Sequence, residues 1–316
     1  VDWLSESPSG SGTRDIRIEA GVGSATGMLT IKNDITAYGA AMTLLADGDI
    51  EQAANTTILN RAGDLIVASS AGGFTQRQGA VLTTAEGELD GNLMVSVAGD
   101  IALDGLSAGT SNVGLKTTGG DVLWNGTGRL VAGNLIVSAA GDVGSLGRDG
   151  QPLLLSVDQL AVDASGDIAL HNDGALTVAN LSVTLNEATR EITRTNAASQ
   201  SLAVTGIDSV NGGVLVQTGA GDLTVDENIS TGGAYVMPGS GVALQSGVTG
   251  SLTLLAAGGM ALNADVSTAS GALVDIEALG GAITTTDGKT ITNIDGVTRL
   301  AAAQSLQSSG IDAGSA

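Results

Sequence analysis

The chain has 316 residues, 42% of them hydrophobic but only 2% aromatic, with 48 glycines, 3 prolines and no cysteine. This excludes collagen-like and proline-rich stalks, disulfide frameworks and thiolate metal sites. A net charge of −21 leaves no basic footprint for phosphate, so nucleic acid is not an expected partner, and no run of 18 apolar residues marks a membrane span.

Residues 1–12 read as a polar, Ser/Gly-rich lead-in, and VDWLSESPSG lacks the basic start and apolar segment of a signal peptide. From 13 to 303 a strand–turn rhythm is nearly unbroken. One phrase recurs: apolar–x–apolar–x–small, a Gly-Asp or Gly-Gly turn, then apolar–x–apolar. It reads MTLLADGDI at 42–50, LMVSVAGDIAL at 93–103, VGLKTTGGDVLW at 113–124 and LIVSAAGDV at 135–143. It continues as LAVDASGDIAL at 160–170, VLVQTGAGDLTV at 214–225, LTLLAAGGMAL at 252–262 and LVDIEALGGAIT at 273–284. The period inside each copy is two, which is a strand signal. It predicts inward columns such as Ile101/Leu103, Val122/Trp124, Leu93/Val95/Val97 and Leu160/Val162/Ala164.

A shared phrase at roughly 18–27 residues is not needed by a sandwich, where each strand has its own partners, but is required by stacked coils. The sequence therefore predicts an all-β chain forming one β-solenoid of about 13 coils, with 304–316 continuing it or serving as a linker. The rhythm stretches at 74–92 and at 144–155. The longest departure is NEATREITRTNAASQ at 186–200, where Glu187, Arg190, Glu191 and Arg194 alternate in charge. This segment predicts a protruding insert, either a solvated loop or a contact epitope.

Candidate chemistry is sparse. Asp49, Asp100, Asp121, Asp142 and Asp167 begin strands at what the phrase places at one corner, about 4.8 Å apart on adjacent coils. Carboxylates so close repel unless solvated or bridged, so Asp100, Asp121, Asp142, Asp222 and Asp226 are the candidate calcium ligands. Against this, the glycine-to-aspartate spacing departs from the calcium nonapeptide, and aspartate capping a turn is the preferred reading. No other cofactor is expected. Asp222/Asp226/Glu227 and Asp47/Asp49 are paired carboxylates of the kind a glycosidase uses. Basic residues are scattered, however, Trp124 has inward parity, and His171, the only histidine, has outward parity. Asn55, Asn125, Asn180 and Asn228 head Asn-x-Ser/Thr triplets at near-chance frequency.

The segment GMLTIKNDITAYGAAMTLLADGDIEQ at 27–52 resembles the repeats of filamentous-haemagglutinin-type bacterial exoproteins and of large surface proteins built of β-strand repeats. The resemblance is at the level of the repeat and covers most of the chain. It implies a right-handed parallel β-helix with three-sided coils, a secreted or cell-surface location, and a non-catalytic structural or adhesive role within a larger polypeptide. Expected partners are a host, cell-surface or matrix molecule, or neighbouring copies of the chain. The alternatives are an extracellular filament subunit assembling end to end and a polysaccharide-active β-helix enzyme.

Overall fold

The structure is a computed structural model, and it describes residues 15–312 apart from 22–26, 40, 88, 127, 147–150, 189–197 and 233–250. Among the described residues there is no helix. Parallel strands stack coil on coil into a β-solenoid of about 11 turns.

Three ladders run along it. The first begins Ile16–Ala20, Met42–Ala46, Leu65–Ser69, Leu93–Val97 and Asn112–Thr117, each parallel to the next. The second begins Leu29–Ile31, Ile50–Gln52, Phe74–Gln76, Ile101–Leu103 and Val122–Trp124. The third begins Ile35–Tyr38, Thr57–Arg61, Val81–Thr83 and Leu106–Ser107. In-register stacking puts like residues over like. Leu93 and Val95 lie between Leu65/Val67 and Val113/Leu115, and all six are fully buried. Ile101 lies between Phe74 and Val122 in the same way. The parity expected from the phrase holds, and Trp124 is core, 5% exposed. Burying each large aliphatic side chain contributes about 1.5–3 kcal/mol, so the repeated column is the main source of stability.

The turns number about 11 rather than the expected 13 because coils are unequal. Leu93 lies over Val113, 20 residues on, but Leu65 lies over Leu93, 28 on, and Ile168 over Val214, 46 on. The last interval holds an insertion.

Midway the corners shift. Leu130–Ala139 and Leu153–Ala164 each bend past a corner as one unbroken strand. Gly133 makes this bend tight: a Cβ there would lie 2.2 Å from the carbonyl oxygen of Thr110. On its far side Leu153–Ala164 pairs in succession with Ile168–Asn172, Leu176–Val178 and Ile207–Ser209. One long strand thus hands over to three short ones. From there the ladders continue through Val214–Thr218, Leu223–Val225 and Ile229–Thr231 up to Val297–Ala302, Leu306–Gln307 and Ile311–Asp312.

Between Leu176–Val178 and Ile207–Ser209 the chain leaves the solenoid as an antiparallel hairpin, Asn180–Asn186 with Ser199–Thr205. It lies flat on the first ladder. Leu181, Val183, Leu185, Leu202 and Val204 pack on the outward residues Ile66, Ala68, Met94, Ile136 and Ala161. Those outward residues sit on successive coils, so the hairpin crosses the coil strands and follows the solenoid axis. Seven strand residues span about 23 Å, enough to cover the roughly 19 Å of stacked rungs from Ile66 to Ala161. The insert expected to protrude near 186–200 is therefore flanked by arms that hug the body.

Candidate functional site

The aspartates that begin strands are the natural place to look for chemistry, and the structure gives each carboxylate a definite partner. Asp100 Oδ1 accepts the N–H of Asp121 at 2.9 Å, Asp121 Oδ1 that of Asp142 at 2.8 Å, and Asp142 Oδ1 that of Asp167 at 2.8 Å. Asp49 serves Gly73 and Asp167 serves Gly213 in the same way. Each side chain caps the corner of the next coil, because the chain there turns and its N–H has no ladder partner.

Asp222 does not join this column. The corner shift at Leu153–Ala164 moves it to a different edge, where its Oδ1 accepts the N–H of Gly259 at 2.6 Å. Asp226 lies at a further corner and accepts from Asn263 Nδ2 at 2.8 Å. The five aspartates expected at one corner thus share it, and Asp222 begins its strand at another. No group of three or more His, Cys, Asp or Glu with metal-binding geometry occurs among the described residues. Asp47 accepts from Ser70 Oγ at 3.0 Å.

Burial and nearby groups shift the protonation of three carboxyls. Burial pushes the Asp167 carboxyl above the ordinary range, the N–H of Gly213 opposes this, and neighbouring Asp142 adds to it. Burial also raises Asp163, helped by Asp208, its register partner on the next strand. Asp265 is lowered, chiefly by the N–H of Thr290 and also by Lys289.

A second polar column, which the phrase did not reveal, precedes the first ladder. Asn92 Nδ2 donates to Asp64 Oδ1 at 3.1 Å, Asn112 Nδ2 to Asn92 Oδ1 at 2.8 Å, and Asn134 Nδ2 to Asn112 Oδ1 at 2.7 Å. The signal was present as Asp or Asn immediately before each aliphatic run.

Among the described residues two carboxylates and a base meet at Arg17, between Glu19 and Glu187, and again at Arg299. Arg299 Nε and Nη2 fork onto Asp275 at 2.8 and 3.0 Å, and Nη2 also reaches Glu277 at 2.6 Å. Asp275 is 5% exposed, and its hydrogen bonds lead the interactions that raise the Arg299 pKa. One guanidinium occupies both acids, and neither the depression over Leu45 and Ala68 nor that beside Asp222 and Gly259 is lined by them. His171 is half-buried, 4.0 Å from Asp173, which pairs with Arg129.

At its tip end the hairpin is clasped to the body. Arg17 Nη1 donates to Glu187 Oε2 at 2.9 Å and to the carbonyl of Ala188 at 3.2 Å, while the N–H of Ala188 donates to Thr43 Oγ1 at 2.7 Å. Glu187, read as a contact residue, is 8% exposed and ties the hairpin down. Its companions Arg190, Glu191 and Arg194 lie outside the described residues.

No known protein family, curated protein or solved structure matches the chain.

Proposed function

We propose that the chain is a non-catalytic structural and adhesive rod segment of a bacterial secreted or cell-surface protein, of the filamentous-haemagglutinin type. What supports this reading above all is the use of the corner carboxylates. Asp49, Asp100, Asp121, Asp142 and Asp167 each bind the next coil's backbone, so the groups best suited to catalysis hold the stack together. Continuous aliphatic columns and repeated parallel ladders supply stiffness, and the acidic surface keeps neighbouring rods apart.

Displaying the chain on an inert bacterial host and measuring retention under flow on cell- and matrix-coated surfaces tests the adhesive role. Retention above that of an undisplayed control supports it. Release of reducing ends from a panel of acidic and neutral polysaccharides, lost in Glu277→Gln, would replace it with the enzyme reading.

A further inference from the structure

Among the described residues the hairpin carries an open strand edge. Residues of an antiparallel pair alternate between bonding across the pair and facing away from it. Glu187 donates to the carbonyl of Ala198 at 2.8 Å and Gly206 to that of Ala179 at 3.0 Å, which fixes the phase. Leu185/Gln200, Val183/Leu202 and Leu181/Val204 are then the bonded pairs. Ser199, Ser201, Ala203 and Thr205 direct their N–H and C=O outward, their side chains are exposed, and no described strand pairs with that edge. Exposed edges are normally blunted by lysine, proline or a bulge. The strand SQSLAVT has no charge and no proline, and it pairs without a break in register.

Beside this edge a depression of about 260 Å³ opens between Gln200 and the solenoid, over Leu45, Ala68 and Ser96. The floor continues in register through Lys116 and Ser138 to Asp163 and Asp208. At the tip end of the hairpin Leu45 and Ala68 lie between Asp47 and Glu187, Lys116 lies midway, and the base carries Asp163 and Asp208.

We infer that this edge and floor form a strand-addition site for an extended segment of a partner protein. The incoming strand runs antiparallel to Ser199–Thr205, with a basic residue near its N-terminus over Asp163 and Asp208 and small or apolar residues over Ala68 and Leu45. Backbone pairing supplies affinity and the alternate downward side chains supply selectivity. A second copy of this chain is the weaker occupant, because a net charge of −21 repels its like. The inference does not rest on the rod reading, since an enzyme could carry the same edge.

The probe is the fluorescent peptide Lys-Thr-Ser-Thr-Ala-Thr-Val-Thr, followed by anisotropy against the full chain. Saturable binding is expected. Ser201→Pro removes an N–H the hairpin does not use, so it should weaken binding at least tenfold with the melting temperature unchanged. The same peptide N-methylated at its threonines should not bind, a comparison that needs no variant. Absence of binding, equal binding of the methylated peptide, or a folded Ser201→Pro chain that binds as tightly as the parent would overturn the site. Sedimentation showing a dimer that Ser201→Pro abolishes would overturn the assignment of the occupant.

Discussion

Asp121 illustrates how one side chain joins two coils, since its carboxylate takes the N–H of Asp142 and its own N–H binds Asp100. Removing the acceptor leaves a half-buried donor unsatisfied. Asp121→Ala should therefore lower stability by about 1–2 kcal/mol in urea denaturation, while Asp121→Asn, which keeps the Oδ1 acceptor, should lose much less. Equal losses would contradict the capping role. Two groups set opposite pH trends. The raised Asp163 disfavours the folded state once ionised, so its contribution is favourable at low pH and is lost as pH rises through its folded pKa. Asp163→Asn should raise the melting temperature at pH 7 and have little effect below pH about 3. The lowered Asp265 stabilises above its ordinary value and loses that contribution as pH falls through its folded pKa, so Asp265→Asn should lower the melting temperature at pH 7. The Gly-Asp turn was legible in the sequence because turn chemistry is local. The place of Asp222 at another corner was not, because it follows from the unbroken run of Leu153–Ala164 past a corner many residues away.

The hairpin is the element the repeat phrase concealed. Its arms alternate strictly, as NLSVTLN and SQSLAVT, which is the pattern of strands with one dry and one wet face. A second signal lay in the solenoid strands it covers. LIVAS and LMVSV are nearly continuous aliphatic runs, as expected of strands buried on both faces. In the later coils outward residues of the same ladder are Asp208, Ser230, Ser267 and Thr292, where no described hairpin lies. Gly114 marks the contact, since a Cβ there would sit 3.0 Å from Val183 Cγ1 and 3.1 Å from Met94 Cε. Gly114→Val should lift the hairpin, cost about 1–3 kcal/mol and speed amide exchange in Asn180–Asn186 and Ser199–Thr205 while the coils stay protected. Arg17→Ala, which removes the clasp to Glu187, should speed exchange mainly at the tip end of both arms.

At the scale of the whole molecule, period and parity were enough to read the architecture, because every coil repeats one environment and so one pattern of residues. The number of turns was overestimated because the hairpin and unequal coils consume chain without adding a full turn. In the proposed role, function at this scale is length and stiffness along an axis, and both depend on a fixed rise per coil. The absence of native cysteine allows that rise to be measured with two introduced spin labels. Glu51 lies in the same outward column as Thr75, Ala102 and Leu123, and the ladder continues across Val143 to Ala169, Leu215 and Thr253. With Glu51→Cys and Thr253→Cys labelled, pulsed electron-spin resonance should give one narrow distance near 34 Å, seven rises of about 4.8 Å. A distance below about 25 Å, or a broad distribution, would contradict a continuous stacked rod.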